Sequence, residues 1–92
     1  MKISWSAEAQ TDLGRIHTFL ARHDLDAADF AFDALIEAPE ALLDFPRLGS
    51  RLTLYDPREV REFRVGNYLL RYQLSVTDLI VVRVFHARED RF

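Results

Sequence analysis

The sequence predicts one α+β domain, with an N-terminal strand and an antiparallel helical hairpin packed on a small, twisted antiparallel β-sheet. A chain of 92 residues, 49% of them apolar, can bury one core and is too short for two typical domains. In the first half, apolar residues recur at helical spacings, as in a helix with one buried face. From Arg51 onward they recur at every second position, as in a half-buried strand. We therefore expect a single domain over residues 1–92.

The first predicted elements are a short strand and a helix. Lys2–Trp5 alternates Ile3 and Trp5 toward the interior, which is typical of a strand. Ser6 is a preferred N-cap residue, and the helix after it should run to about His23. Its apolar stripe consists of Ala9, Leu13, Ile16 and Leu20, with Phe19 beside them.

A second helix should begin at Asp26, where Asp29 completes an approximate capping box. The short connection between the helices makes them an antiparallel hairpin. Pro39 lacks a backbone N–H, so we expect a kink or a split there, and Pro46 and Gly49 should end the helix. The apolar stripe, with the residues that widen it, consists of Ala28, Phe30, Ala31, Ala34, Leu35, Ala38, Ala41, Leu42 and Phe45.

The same helix carries a ridge of acidic residues at spacings of three and four. They are Asp29, Asp33, Glu37, Glu40 and Asp44. Like charges at these spacings oppose helix formation by a few tenths of a kcal/mol per pair, roughly. We interpret the ridge as a solvated helix face, and the alternative is a docking surface for a basic partner segment.

Three strands should follow, joined by tight turns into an antiparallel meander. Arg61–Val65 leads through the turn Gly66–Asn67 to Tyr68–Val76, and Thr77–Asp78 turns the chain into Leu79–His86. One face should carry Tyr68, Leu70, Tyr72, Leu74 and Val76 from the middle strand, with Ile80, Val82, Val84 and His86 from the last. This face is expected to pack on the helices.

Composition excludes several classes of protein. The apolar and aromatic content is too high for a disordered chain, and the absence of cysteine excludes a disulfide scaffold. No apolar run exceeds four residues, Leu79–Val82, so neither a membrane span nor a signal-peptide core is expected. We expect a cytoplasmic protein that does not bind membranes.

Charge is distributed unevenly along the chain. Residues 1–46 have a net charge of −6 and residues 47–92 one of +3, and every base in the second half is arginine. Arg64, Arg71 and Arg83 occupy outward positions on three strands, so they could form one basic patch for an anionic macromolecule. Arg58, Arg61 and Arg88 lie close to these strands in the sequence. The alternative is that these arginines pair with Glu59, Glu62 and Asp90 on the surface.

Sequence motifs for catalysis or cofactor binding are largely missing. No serine lies in a G-x-S-x-G turn, the three histidines have no metal-ligand spacing, and no glycine-rich loop could hold phosphates. We therefore expect no metal site and no cofactor. His17 should be a half-buried packing residue. His86, beside arginines at a strand end, could act as an acid or base on a phosphodiester.

The order of short motifs resembles the ParE/RelE toxin superfamily, and most closely its ParE branch, the plasmid-stabilisation proteins. The resemblance covers essentially the whole chain. The residues that carry it are Trp5-Ser6, Asp12-Leu13, Ile16, Ala27-Ala28, Phe45-Pro46-Arg47-Leu48-Gly49, Arg61-Glu62-Phe63, Asn67-Tyr68, Tyr72 and Val84-Phe85-His86-Ala87-Arg88.

The resemblance implies the toxin of a type II toxin–antitoxin module with a helical hairpin on a small antiparallel sheet. Its partner would be a ParD-like antitoxin, a ribbon-helix-helix DNA binder whose disordered tail folds on the toxin. The toxin itself would contact DNA only through that antitoxin. ParE-like toxins inhibit DNA gyrase, whereas RelE-like toxins cut mRNA on the ribosome.

The RelE-like catalytic pattern is only partly matched. Leu69 occupies the position of the key arginine, residues 61–64 supply arginine where lysines are expected, Arg88 matches, and no tyrosine matches at the end, where the chain has Phe92. We therefore predict a non-enzymatic ParE-like toxin. Its antitoxin- or target-binding residues would be Arg58, Arg61, Arg64, Arg71, Arg83 and Arg88. The alternatives are a ribosome-dependent mRNA endonuclease using Arg61, His86 and Arg88, or a non-toxic relic that only binds its antitoxin.

Overall fold

The computed structural model describes residues 1–89 and contains two helices and a five-stranded sheet. The elements are β1 Lys2–Trp5, α1 Ala7–Ala21, α2 Leu25–Asp44, β2 Ser50–Arg51, β3 Glu59–Val65, β4 Tyr68–Leu74 and β5 Asp78–His86. Single 3₁₀ turns cover Thr53–Tyr55 and Ala87–Glu89. The predicted α+β class, with a helical hairpin after an N-terminal strand, is confirmed.

The strands lie in the order β1-β5-β4-β3-β2. The predicted antiparallel meander is formed by β3, β4 and β5, and β2 adds two antiparallel residues at its edge. The sheet as a whole is mixed, because β1, for which the sequence predicts no partner, pairs with β5 in parallel. No tight turn joins β1 to β5, because the rest of the domain lies between them in the sequence, so their connection does not require an antiparallel pair.

Polar caps fix where the two helices begin. The Ser6 hydroxyl accepts the Ala9 N–H at 3.0 Å, as predicted, and donates to the Val82 carbonyl at 2.9 Å, so it also ties α1 to the sheet. The predicted start of α2 at Asp26 is wrong, since Asp24 is the N-cap and accepts the Ala27 N–H at 3.1 Å. The helices are joined by the three residues 22–24, so the short connection predicted for the hairpin is confirmed, although both of its ends lie earlier in the chain.

Pro39 does not split α2, which continues as one helix to Asp44. The proline ring is buried among apolar residues, so packing offsets the missing backbone hydrogen bond. The buried face of α2 is narrower than the predicted apolar stripe, which included Phe30 and Phe45. Phe30 is 79% exposed and Phe45 69% exposed, because each projects away from the sheet-facing stripe.

The core lies between the helices and one face of the sheet. Its fully or nearly fully buried residues include Ala9, Leu13, Ile16, Leu35, Leu42, Leu70, Tyr72, Leu79, Val81 and Val84. The predicted inward face of β4 is confirmed for Tyr68, Leu70, Tyr72 and Leu74, which pack in or against this core. The prediction is wrong for Val76, which lies beyond the end of β4 and is 98% exposed.

The inward face of β5 differs from the prediction in its first half. Tyr72 is paired with Val81 and Arg71 with Arg83, so Val82 is an extra residue in the strand. This β-bulge shifts the alternation by one position. As a result Leu79 and Val81 face the core in place of Ile80 and Val82, whereas Val84 is buried as predicted.

Within residues 1–89 no helix is long and apolar enough to cross a membrane.

Candidate functional site

Arg83 does not belong to an outer basic patch, contrary to the prediction. Its Nε and Nη2 donate to the buried Asp12 carboxylate of α1 at 2.8 and 3.2 Å. The Val84 N–H donates to the same carboxylate at 2.9 Å. Strand β1 pairs with β5 only as far as Val81. Beyond Val81, the Asp12 carboxylate provides the hydrogen-bond acceptor for β5.

Arg71 is also held within the protein. Glu62 lies opposite Arg71 on β3, and its Oε2 accepts from Arg71 Nε and Nη2 at 3.1 and 2.7 Å. The guanidinium carbon lies 4.9 Å from the Phe85 ring centroid and 5.8 Å from that of Tyr55. Tyr55 also accepts a hydrogen bond from Arg71 Nη1 at 3.1 Å. The outer face at Arg71 is therefore covered by the loop that carries Tyr55 and is neutralised by Glu62.

Arg61 fastens the loop after α2 to the sheet. Its Nη1 donates to the carbonyls of Arg47 and Gly49 at 3.2 and 2.7 Å, and its Nε donates to Glu59 at 2.8 Å. Arg47 donates to the same Glu59 carboxylate at 2.8 and 3.1 Å. Hydrogen bonds from Arg47 and Arg61 lower the pKa of Glu59 from 4.5 to about 2.

Tyr72 completes this group of contacts. Its hydroxyl donates to the Pro46 carbonyl at 2.7 Å and accepts the Gly49 N–H at 3.0 Å. A Cβ on Gly49 would lie 2.7 Å from that hydroxyl oxygen and 2.8 Å from the Glu62 carbonyl oxygen, so only glycine fits. Burial raises the pKa of Tyr72 above its usual value. We call Arg47, Gly49, Glu59, Arg61 and Tyr72 the loop cluster.

The remaining arginines predicted to bind a partner are exposed and make few contacts within the protein. Arg58 Nη1 donates to Gln73 at 3.3 Å, and Arg64 Nε donates to the Gly66 carbonyl at 2.8 Å. Neither contact neutralises the charge, because both acceptors are uncharged oxygens. Arg88 is also exposed, and its backbone N–H donates to His86 Nδ1 at 3.1 Å. The predicted pairing of these arginines with Asp90 lies outside the described residues.

His86 and Arg88 line a cleft of about 570 Å³ at the end of the sheet. The other lining residues are Arg15, Ile16, Phe19 and Tyr68. The His86 ring meets Tyr68 edge to face, with centroids 5.4 Å apart. Because His86 Nδ1 accepts a hydrogen bond, the neutral ring carries its proton on Nε2. We call these six residues the His86 cleft.

The alternative catalytic set is not brought together. Arg61 lies opposite Tyr72 and His86 lies opposite Tyr68, four residues farther along β4. Four residues of strand correspond to about 13 Å, and Arg61 is already bound to a carboxylate and two carbonyls. Only His86 and Arg88 of the set are neighbours. Among residues 1–89 there is also no group of three His, Asp or Glu side chains placed to hold a metal ion.

The sequence does not indicate two of the contacts that hold this region together, those of Asp12 and of the Tyr72 hydroxyl. Asp12 lies 71 residues from Arg83 in the chain, and no local pattern indicates that pair. The sequence predicts the correct face for Tyr72, but its pattern does not indicate the hydrogen bonds between the Tyr72 hydroxyl and the loop after α2. The half-buried position predicted for His17 is confirmed, and its Nε2 donates to Asp29 at 2.8 Å.

Comparison with known proteins supports the same class of fold. A solved structure titled "Chromosomal ParDE TA system from P. aeruginosa" is similar, with a TM-score of 0.77 and 17% sequence identity over 94% of this chain and 95% of that chain. At this identity the likeness concerns the fold alone. No curated protein matches the sequence.

The family is identified from the sequence as a whole. Residues 3–91 match the family described as the ParE toxin of the type II toxin-antitoxin system, parDE. The chain therefore belongs to the ParE toxin family, and it is the toxin component of a type II toxin–antitoxin module.

Proposed function

We propose that this chain inhibits DNA gyrase and that a cognate antitoxin neutralises it. The family match over residues 3–91 carries the proposal, since inhibition of gyrase is the activity that the ParE resemblance implies. The separation of Arg61 from His86 supports inhibition by binding in preference to RNA cleavage, because general acid–base chemistry requires its groups within reach of one substrate.

The contacts divide the predicted binding arginines into two groups. Arg61, Arg71 and Arg83 donate to carboxylates within the protein, and removing a guanidinium from such a partner leaves an uncompensated charge. They would hold the fold. Arg58, Arg64 and Arg88 are exposed and donate no side-chain hydrogen bond to a carboxylate within the described residues. We assign target or antitoxin binding to these three.

The antitoxin would be a ParD-like ribbon-helix-helix protein with a tail that is disordered when free. Folding of such a tail on the toxin lets it cover a large surface at an entropic cost. The antitoxin supplies the DNA contacts of the complex, and the toxin binds no DNA itself. Since gyrase acts on bacterial DNA, the site of action is the cytoplasm.

Purified gyrase provides the direct test. In a supercoiling assay, the purified chain should inhibit the reaction, and a triple Arg58→Gln, Arg64→Gln and Arg88→Gln variant should inhibit at least tenfold less. Arg22→Gln is the matched control, because Arg22 is an exposed arginine at the end of α1 outside the assigned group. Undiminished supercoiling in the presence of the folded chain contradicts the proposal.

The His86 cleft favours one alternative function, the ribosome-dependent endonuclease. His86 and Arg88 both line this cleft, together with the apolar residues Ile16 and Phe19, and could contact a phosphodiester bound there. Induction of the chain, followed by mapping of transcript ends, tests this alternative. Codon-phased cuts that His86→Ala abolishes would establish the endonuclease, and intact transcripts in growth-arrested cells exclude it.

A third possibility is a non-toxic relic that only binds the antitoxin. Normal growth after confirmed expression, together with tight copurification of a short protein encoded next to this chain, would identify it. Growth arrest with induction of the DNA-damage response is the result that the gyrase proposal predicts.

A further inference from the structure

The His86 cleft combines hydrogen-bond donors for an anion with an apolar wall. Arg15, His86 and Arg88 can donate to an anion, and the other three lining residues are aliphatic or aromatic. The volume of about 570 Å³ lies within the range of small-molecule sites. Among the described residues no carboxylate lines the cleft. The cleft therefore fits a ligand that has both a negative charge and an apolar or aromatic group.

The three donors come from separate parts of the fold. Arg15 lies on α1, His86 is the last residue of β5, and Arg88 lies in the 3₁₀ turn that follows. The Arg88 backbone N–H donates to His86 Nδ1 at 3.1 Å, which leaves Nε2–H as the donor of the neutral imidazole. Folding thus brings two guanidinium groups and an imidazole N–H to one cleft.

Asp12, below the cleft, is shared between two arginines. Its carboxylate accepts from Arg83 at 2.8 and 3.2 Å and from the Val84 N–H at 2.9 Å. Arg15 Nη2 lies 3.7 Å from the same carboxylate, beyond hydrogen-bond distance. One carboxylate faces two guanidinium groups, so Asp12, Arg15 and Arg83 together keep a net positive charge beside the cleft.

A phosphate monoester is the anion that best matches these donors. It carries roughly −1.5 to −2 charges at pH 7 and three strong acceptor oxygens. A carboxylate or an internal phosphodiester has a single negative charge. Guanidinium groups also pair with phosphate in a bidentate geometry. The donor set therefore favours a terminal phosphate over either alternative.

Phe19 provides aromatic surface beside the donors. It is 59% exposed, and it lines both the His86 cleft and a neighbouring cavity of about 460 Å³. Tyr68 adds a second ring to the wall of the cleft. Exposed aromatic rings next to cationic side chains are typical of sites on which nucleobases stack. The apolar part of the ligand is therefore best matched by a nucleobase.

We propose that the His86 cleft binds a nucleoside monophosphate. Arg15, His86 and Arg88 bind the phosphate, and the base stacks on Phe19. Stacking depends on ring area and tolerates changes of base, so purine nucleotides bind more tightly than pyrimidine nucleotides, with little preference between adenine and guanine. This binding goes beyond gyrase inhibition, and unlike the endonuclease alternative it breaks no bond in the ligand.

Calorimetric titration of the full chain with AMP, GMP and UMP tests the proposal in the absence of gyrase. AMP should bind at least tenfold more tightly than adenosine or inorganic phosphate, because each of these keeps only part of the contacts. Binding should weaken as ionic strength rises. NMR locates the site, since the signals of Ile16, Phe19 and His86 should shift during the titration.

Variants separate the contacts to the base from those to the phosphate. Phe19→Ala should weaken AMP binding by about fivefold or more, and Phe19→Trp should keep it, as expected for a stacked base. Arg15→Gln and Arg88→Gln should each weaken it by roughly tenfold through lost charge-assisted hydrogen bonds. The matched controls are Phe30→Ala and Arg58→Gln, which change an exposed aromatic residue and an exposed arginine outside the cleft. Circular dichroism verifies folding, which the exposure of all three altered cleft residues should preserve.

Four results would overturn the proposal. One is the absence of AMP and GMP binding, or AMP binding no tighter than that of adenosine or inorganic phosphate. Another is AMP binding that Phe19→Ala and Arg15→Gln leave unchanged. The third is tighter binding of single-stranded RNA that lacks terminal phosphates, and the fourth is tighter binding of a phosphotyrosine peptide. Gyrase inhibition is scored separately, so failure of either proposal is recognised independently.

Discussion

The loop cluster and the His86 cleft lie at two ends of the same strands, and both are rich in arginine. In the loop cluster, Arg61 donates to Glu59 and to two loop carbonyls, and it is nearly buried. In the His86 cleft, Arg88 is exposed, and the contact between it and His86 uses its backbone N–H. The same residue type therefore serves the fold at one end and faces solvent at the other.

The difference shows that arginine count does not define a binding surface. The sequence predicts Arg64, Arg71 and Arg83 on one face of the sheet. In the structure, Arg71 donates to Glu62 and Arg83 donates to Asp12. What distinguishes a binding arginine is whether a carboxylate in the chain already accepts from it. On this criterion we propose a smaller set of partner-binding arginines, namely Arg58, Arg64 and Arg88.

Two glycines provide the strongest contrast in stability. Gly49→Ala should destabilise the protein by about 3 kcal/mol, because its Cβ would collide with Tyr72 and with a backbone carbonyl. Gly14→Ala should stabilise it by up to about 1 kcal/mol, because the added methyl meets open space in a helix. Urea unfolding measures both, and equal effects of the two substitutions would show that the loop cluster is not closely packed.

Removal of one hydroxyl tests the loop cluster at finer scale. Tyr72→Phe should cost about 2 kcal/mol, since it leaves the Gly49 N–H and the Pro46 carbonyl without a partner in a buried position. In a double-mutant cycle with Gly49→Ala the two losses should not add, because both substitutions break the same contact. Additive losses would contradict the shared hydrogen bond.

Acid should weaken the loop cluster through Glu59. Its pKa in the folded protein is about 2, against 4.5 for an unperturbed carboxyl, so its contribution to stability is complete above pH 4.5 and is lost as pH falls toward 2. Glu59→Gln should remove this part of the acid dependence. Unfolding free energies at pH 7 and at pH 3 test it, and an unchanged pH profile in the variant would exclude Glu59 as its source.

Much of the sheet follows from the sequence, because tight turns fix register. The Gly66–Asn67 turn pairs Val65 with Tyr68, and counting back from it places Glu62 opposite Arg71, which the structure confirms. The same count could have shown that Arg71 is neutralised. The strand register fixed by a two-residue turn therefore predicts which charged side chains face an opposite charge across the strands and which are left to contact a partner.

The first half of β5 could not be predicted in the same way. Leu79–Val82 is apolar at every position, so the sequence does not distinguish the two possible phases of alternation, and it gives no sign of the bulge at Val82. The role of Asp12 could not be predicted either, because its partner Arg83 is 71 residues away in the chain. Exposed Phe30 and Phe45 show a further limit, because residue type alone does not say which apolar side chains the chain itself can cover.

One paired measurement tests the distinction between the two ends most directly. Equilibrium urea unfolding of Arg61→Gln and Arg88→Gln removes a guanidinium from the loop cluster and from the His86 cleft. We predict a loss of about 2 kcal/mol for Arg61→Gln, from its bonds to a carboxylate and two carbonyls, and a change within about 0.5 kcal/mol for Arg88→Gln. Equal losses, or a larger loss for Arg88→Gln, would contradict the division of the arginines into those that hold the fold and those that meet a partner.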